Sequence, residues 1–327
     1  MGKTDNSPIS DALSANYAYT IDLNTGFTGS DNLYVGIEAG NNDFTSNDFA
    51  TDSKVSTGDA LTVHSMYYSF PLGNFDLAVG NLLDNDDLMP TTLSKYSDSF
   101  YISSEPLADT GFFSFQGVTG SGIAISRVFE SGFNASASII GTDSATNSAG
   151  FLTGESNDVT TLSMGYDTET YGFGFVYLAM DDVCNFTAGQ ETCANLNING
   201  VASANTYGLG GYITPNDGKT TISLTFNSVD LNVDGFAPDI DQLFDTQLSI
   251  DHGWGDGVLS ASVKGSEFWN PDANLNLIND YVGEWYEIYY TYPVSDSLEI
   301  LGGVAWSNGD GCLLYTSPSP RDSWASR

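Results

Sequence analysis

The sequence predicts an all-β protein whose strands form a transmembrane, antiparallel, up-and-down β-barrel. Two observations carry this prediction. Apolar and polar residues alternate with a period of two along fourteen segments, which is typical of strands with one apolar and one polar face. Short and long connections between these segments also alternate strictly, as in a barrel with tight turns on one rim and long loops on the other.

The period of two is present at both ends of the chain and in its middle. Examples with every second residue apolar begin at Tyr17, Leu33, Phe75, Tyr171, Ile222, Leu259, Tyr286 and Leu298. Each segment is close to the roughly 9–11 residues with which a tilted strand crosses a bilayer. No stretch reaches the roughly 18 apolar residues that a membrane helix needs, which excludes a helical membrane protein.

The connection lengths distinguish a barrel from a Greek-key sandwich, because a sandwich does not require short and long connections to alternate. Short turns are predicted at residues 28–32, 71–73, 130–132, 168–169, 214–218, 253–256 and 293–297, and long polar loops at 41–59, 84–122, 141–158, 181–204, 229–242 and 265–283. Residues 111–118 have strand character, but a strand there would move the cysteine-bearing loop to the short-turn rim. We therefore place them inside one long excursion, 84–122, which we expect to fold into the lumen and narrow it.

The predicted domain organisation is a loop remnant at residues 1–16, an incomplete barrel domain at 17–311 and an unrelated tail at 312–327. The tail resembles a translated sequencing adapter, and it is excluded from the fold prediction. No signal peptide is visible, and polar remnants flank both ends of the barrel. We therefore expect a truncated chain, with about 16 strands and a water-filled interior in the full protein.

The charge balance is strongly acidic, with 42 acidic against 8 basic residues and a formal net charge of −34. Such a chain has no basic stripe for nucleic acid, and its charge disfavours docking on anionic headgroups. Two interpretations of the acids stay open: solvation in a salty environment, and selection of ions in a pore.

The cysteines Cys184 and Cys193 lie in one polar loop. A local disulfide in an oxidising compartment is the preferred interpretation, and it would contribute about 2–3 kcal/mol. A metal site is the weaker alternative, because no further Cys or His is near in sequence. The sequence predicts no enzyme, no catalytic residues, no metal and no cofactor.

Four stretches resemble cyanobacterial outer-membrane porins of the OprB-like group, which includes carbohydrate-selective and iron-uptake pores. They are the early strands at residues 17–41 and 66–82, the cysteine loop and following hairpin at 182–218, and the hairpin at 285–306. The resemblance implies an outer-membrane barrel of about 16 strands, with membrane lipid, ions and small polar solutes as partners and a homotrimer as a candidate assembly. Members usually add an N-terminal domain that binds peptidoglycan, and this sequence lacks it.

If the apolar face meets lipid, the other face lines the pore and carries mostly acids. The predicted pore-lining residues are Asp22, Glu38, Asp76, Asp245, Asp251, Lys264, Glu287 and Glu299. The predicted constriction loop adds Asp84, Asp86, Asp87, Lys95, Asp98, Glu105 and Asp109. Acid-lined pores favour cations, so the hypothesis is passive diffusion with a weak cation preference. The alternative is that the acids are hydrated rim residues with little effect on conductance.

Several minor interpretations remain. Arg127 shares its face with Ile123 and Ile125 and is predicted to lie at the membrane interface. The acidic clusters at 84–87 and 251–256 match no calcium-loop spacing. Aromatic residues at strand ends fit interfacial girdles or, less simply, sugar stacking: Tyr68, Phe70, Trp254, Tyr292 and Trp306. The competing function is a secreted all-β surface-layer protein or adhesin; a glycan hydrolase with paired carboxylates is a remoter one.

Overall fold

The computed structural model describes residues 17–41, 57–97, 118–142, 153, 156–181, 202–215, 218–233, 242–268, 283–295, 298–307 and 312–319. They form one 15-stranded sheet in which every strand pairs with its neighbours in sequence. The strands are β1 (Ala18–Thr25), β2 (Asn32–Gly40), β3 (Thr62–Leu72), β4 (Phe75–Asp84), β5 (Thr119–Val128), β6 (Phe133–Gly141), β7 (Asp158–Asp167), β8 (Tyr171–Met180), β9 (Ala202–Ile213), β10 (Thr220–Val233), β11 (Gln242–Trp254), β12 (Gly257–Phe268), β13 (Gly283–Ser295), β14 (Leu298–Ser307) and β15 (Cys312–Ser319).

All strand pairs are antiparallel, so the sheet is an up-and-down meander, which confirms the predicted fold class. The short connections follow every odd-numbered strand up to β13 and therefore lie on one rim, which we name the short-turn rim. Gly73 and Gly255 begin two of these turns at φ of 65° and 63°, a conformation that favours glycine. β4 pairs directly with β5, and residues 111–117, which are predicted to belong to a long excursion, lie outside the described residues.

The two faces of the sheet differ in burial and chemistry. On β8, Tyr171 and Phe173 are exposed while Gly172, Gly174 and Val176 are buried. The same alternation runs through β10 and β11, where the buried positions are occupied by serine, threonine, asparagine, glutamine and aspartate, with Val229 as an exception. We name the face with exposed apolar side chains the outer face, and the face with buried polar side chains the inner face. A soluble β-protein has the opposite arrangement, with its apolar face packed inward.

The residue types on the outer face change with their position between the two rims of the sheet. Its middle carries exposed aliphatic residues, among them Ile125, Leu162, Leu209, Leu248 and Ile288. Aromatic pairs lie nearer the two rims: Phe133–Tyr166 and Trp254–Tyr290 towards the short turns, and Tyr177–Tyr207, Phe226–Phe244 and Tyr286–Trp306 towards the long loops. An aliphatic band between two aromatic girdles is the pattern of a barrel that spans a bilayer.

The edges of the sheet differ from the sequence prediction in one respect. The fourteen predicted strands are present, and Cys312–Ser319 adds β15 by pairing with β14. The unpaired N–H and C=O groups of an edge strand accept any extended segment, which accounts for this pairing. Within the described part of the chain β1 and β15 do not pair, so the sheet is not closed. That residues 312–327 are foreign to the barrel stays a prediction. The described residues contain no helix long and apolar enough to cross a membrane.

Candidate functional site

Residues 85–97, which we name the lumen segment, leave the end of β4 and lie against the inner face of the sheet. Its root is fixed at Asn85, whose backbone N–H donates to the carbonyl oxygen of Val118 at 3.2 Å. The Asn85 amide donates to Thr161 Oγ1 on β7 at 3.1 Å, and Ser138 on β6 donates to its carbonyl at 2.7 Å. The chain therefore turns into the interior at its first residue beyond β4.

The middle of the lumen segment packs on β6 to β9. The Thr91 hydroxyl is within 2.8 Å of both Asn134 Oδ1 and Ser163 Oγ. Leu93 is buried against Val176. The wall has glycine where the segment is closest: a Cβ at Gly210 would lie 2.5 Å from the carbonyl oxygen of Leu93. Glycine allows the two backbones this close approach.

The end of the segment reaches β9 to β14. The Lys95 backbone N–H donates to Ser223 on β10 at 3.0 Å, and its ammonium lies 4.1 Å from the centre of the Tyr212 ring. Tyr96 donates its hydroxyl hydrogen bond to Glu287 and packs edge-on against Tyr289. These contacts extend the segment to the far side of the sheet.

Ser97 completes this anchor. Its N–H donates to Asp251 Oδ2 at 2.9 Å, and its hydroxyl lies 3.0 Å from Tyr289 and 3.1 Å from Ser260. The segment therefore begins in turns at residues 85–88 and then crosses the inner face from β6 and β7 to β11, β12 and β13, as expected for the predicted excursion into the lumen.

The structure places the predicted pore-lining residues on the inner face. Asp22 accepts a hydrogen bond from the Tyr34 hydroxyl at 2.7 Å, and Asp76 is exposed. Lys264 forms an ion pair with Asp245 at 3.3 Å, with side chains 4% and 2% exposed. The remaining members have the same parity in their strands as neighbouring buried inner-face residues: Glu38, Asp251, Glu287 and Glu299. Which of them line a water-filled passage stays a prediction.

The predicted constriction-loop residues divide into three groups. Asp84 is the last residue of β4 rather than a loop residue, and its carboxylate accepts a hydrogen bond from Thr119 on β5. Asp86, Asp87 and Lys95 lie in the lumen segment. Asp98, Glu105 and Asp109 lie outside the described residues, as do Cys184 and Cys193, so their roles and the disulfide stay predictions.

Asp87 is the acid of the lumen segment with the most perturbed surroundings. Burial raises its pKa to about 7, and the neighbouring carboxylates of Asp84 and Asp86 act in the same direction. Hydrogen bonds from the Asp84 backbone N–H, at 2.8 Å, and from the Tyr67 hydroxyl oppose the shift. Asp87 is thereby placed to change its charge near neutral pH.

A cavity of about 390 Å³ lies between the start of the lumen segment and β2 to β5. Its charged lining consists of Asp31, Asp76 and Asp87, without a basic residue. Asp31 accepts hydrogen bonds from the Thr28 and Tyr68 side chains, which hold the pKa of its carboxyl well below its usual range. This side of the inner face is therefore negatively charged.

Sequence reasoning missed the neutral anchors of the lumen segment. Asn85, Thr91, Tyr96 and Ser97 make its hydrogen bonds to the wall, but only its charged residues were singled out. No local sequence signal identifies them, because their partners on the wall lie 33 to 192 positions away. In the described part of the chain, no group of three or more His, Cys, Asp or Glu residues could hold a metal ion, which includes the acidic stretches at 84–87 and 251–256.

The similarity to known proteins lies in the fold. No family model matches the chain, and no curated protein sequence matches it. Among solved structures, a loop-deletion mutant of OmpT, an outer membrane protein of Vibrio cholerae, aligns with a TM-score of 0.62 and 9% identity over 93% of this chain and 90% of that chain. The chain has the porin barrel fold.

Two further structures share this fold. The anion-selective porin from Comamonas acidovorans aligns with a TM-score of 0.60 and 11% identity over 93% of this chain and 83% of its own. A mutant porin of Rhodopseudomonas blastica aligns with a TM-score of 0.56 and 12% identity over 94% of this chain and 90% of its own. At such identities the porin fold is shared while the pore-lining residues are free to differ.

Proposed function

We propose that this protein is a bacterial outer-membrane porin through which ions and small polar solutes diffuse passively. One observation carries the proposal: the sheet exposes its apolar side chains and keeps its polar side chains on the inner face, against which the lumen segment lies. Water on the inside would solvate the polar inner face, and hydrocarbon on the outside would cover the apolar outer face. A secreted surface-layer protein would need the apolar face covered by protein.

We further propose a weak cation preference. The cavity beside the lumen segment carries only acidic charge, since Asp76 and Asp87 line it together with Asp31. The inner-face cations are held elsewhere, Lys264 by Asp245 and Lys95 over the Tyr212 ring. Low-dielectric walls focus the field of such carboxylates and raise the local concentration of cations. The anion-selective porin from Comamonas acidovorans shares the fold at 11% identity, and its selectivity does not carry over to this chain, because selectivity depends on the pore-lining side chains.

The finer family assignment also remains a proposal. The resemblance of residues 17–41, 66–82, 182–218 and 285–306 to cyanobacterial OprB-like porins supports it. A homotrimer is the proposed assembly, and contact with peptidoglycan would need a separate N-terminal domain.

The test is single-channel recording of the purified protein in planar bilayers, followed by reversal potentials in a salt gradient. We expect discrete conducting steps and a potential of the sign for cation preference. Asp76→Asn combined with Asp87→Asn should reduce that potential, whereas Asp256→Asn, at an exposed short turn, should leave it unchanged. Absence of conducting steps would overturn the porin assignment, and an anion-preferring potential would overturn the selectivity alone.

A further inference from the structure

Arg127 occupies an unusual position for a basic residue. It lies one residue before the end of β5, on the outer face it shares with the exposed Ile123 and Ile125. It therefore lies close to the short-turn rim, where Phe129 and Phe133 flank the next turn. A basic side chain facing hydrocarbon costs about 2–4 kcal/mol at the middle of a bilayer and little near its surface.

Two aromatic rings hold the Arg127 guanidinium. Its central carbon lies 4.2 Å from the centre of the Phe129 ring and 5.2 Å from that of the Phe75 ring. Both rings belong to the short-turn rim, so the side chain extends from its backbone position towards the membrane surface. Cation–π contacts occupy the faces of the guanidinium and leave the N–H groups at its edge free to donate.

Arg127 has no carboxylate partner among the described residues, which include both neighbouring strands and the adjoining turns. By contrast, Lys264 is paired with Asp245 and Lys95 lies over Tyr212, both on the inner face. Arg127 thus differs from these two cations, because it faces outwards and its N–H groups have no acceptor in the part of the chain that the structure describes. A guanidinium at the boundary of hydrocarbon needs an acceptor there, and the acceptor that a bilayer supplies is phosphate.

We propose that Arg127, held between Phe75 and Phe129, binds the phosphate of a glycerophospholipid at the short-turn rim. Its planar fork suits two phosphate oxygens at once. The rings pack against the glycerol and upper acyl region, as aromatic residues do at membrane interfaces. The net charge of −34 opposes long-range attraction to an anionic membrane, so this contact is local and depends on one side chain. The proposal rests on the proposed membrane location.

The test is titration of the purified protein in detergent with phosphatidylglycerol, with bound lipid counted by native mass spectrometry. Removing one basic residue near an anionic headgroup costs about 1 kcal/mol, which corresponds to roughly fivefold weaker binding for Arg127→Gln. Arg127→Lys keeps the positive charge but loses the planar guanidinium that can contact two phosphate oxygens. Its affinity for phosphatidylglycerol should therefore lie between that of the wild type and that of Arg127→Gln. Diacylglycerol, which lacks phosphate, should not distinguish the wild type from Arg127→Gln.

Lys219→Gln is the matched control, because it removes the same charge from another short turn on this rim. It should leave the first phosphatidylglycerol bound as in the wild type. Equal binding by Arg127→Gln and the wild type, or an equal loss in Lys219→Gln, would overturn the site. Displacement of the lipid by inorganic phosphate would show a free-anion site instead. Single-channel conductance of the same Arg127→Gln sample should be unchanged, so a failed lipid site remains distinguishable from a failed porin assignment.

Discussion

The backbone N–H of Ser97 donates a hydrogen bond of 2.9 Å to Oδ2 of Asp251, a residue 154 positions later in the chain. The Ser97 hydroxyl donates to the other oxygen of the same carboxylate at 3.0 Å. One carboxylate on β11 therefore holds the end of the lumen segment against the wall, on the opposite side of the inner face from its root at Asn85.

Asp251→Ala should release the end of the lumen segment. Hydrogen bonds to a charged group contribute about 1.5–3 kcal/mol, so this end should leave the wall more often. We expect larger fluctuations of the open-channel current and a changed mean conductance in single-channel records. Asp256→Asn, which removes an exposed charge from the adjoining turn, is the control and should behave as the wild type. Identical current noise in Asp251→Ala and the wild type would show that this contact does not hold the segment.

Gly210→Ala should displace the middle of the lumen segment. The added Cβ would lie 2.5 Å from the Leu93 carbonyl oxygen, closer than a carbon and an oxygen approach, so one backbone has to move. Overpacking of this kind costs about 1–3 kcal/mol. Gly265→Ala is the matched control on β12, since nothing lies within 4 Å of its added Cβ. Urea unfolding in detergent should show a lower midpoint for the first variant only, and equal midpoints would contradict the close approach.

Lys264→Met should destabilise the barrel by leaving Asp245 buried without its ion-pair partner. Removal of one member of a buried pair costs about 3–5 kcal/mol, whereas replacing both with apolar residues is often nearly neutral. The double variant Lys264→Met with Asp245→Leu should therefore recover most of the loss. A double-mutant cycle on unfolding midpoints measures the coupling. If the cost of the double variant equalled the sum of the costs of the two single variants, the two charges would act independently and the prediction would be wrong.

The cation preference should depend on pH through Asp87. Its pKa of about 7 makes it mostly neutral at pH 5 and mostly charged at pH 9, so the preference should rise with pH between these values. The folded-state pKa lies above the unfolded value of about 3.9, so this group's contribution to stability is full at low pH and is lost as the pH rises towards 7. Asp87→Asn should flatten both curves. Reversal potentials recorded from pH 5 to 9 test this, and a wild-type curve as flat as that of the variant would contradict it.

The strands could be predicted from the sequence because each one has an apolar and a polar face. The resulting alternation is visible locally, with the exposed apolar side chains of Tyr171, Phe173 and Leu209 as examples. The alternation of short and long connections placed the short turns on one rim and predicted that β4 and β5 are neighbours in the sheet. Local patterns therefore predicted the topology without any knowledge of long-range contacts.

The path of the lumen segment could not be predicted in detail. Its direction depends on hydrogen bonds such as Tyr96 to Glu287, which join residues 191 positions apart. Asp84 was predicted to belong to the constriction loop because it is charged, but it is the last residue of β4. The chain turns into the interior at the neutral Asn85. Polar residues that form hydrogen bonds across a barrel produce no periodic pattern in the sequence, because each one requires only a single partner that is distant in the chain.

The central claim is that the outer face meets lipid and the inner face meets water, and neighbouring positions on β4 test it most directly. After Cys184, Cys193 and Cys312 are replaced by serine, Val79→Cys on the outer face and Asp76→Cys on the inner face each receive a fluorescent label. In vesicles, quenchers attached to lipid chains should quench the label at 79, and a water-soluble quencher should quench the label at 76. If the water-soluble quencher reached the label at 79 as readily as the label at 76, the assignment of the two faces would be wrong.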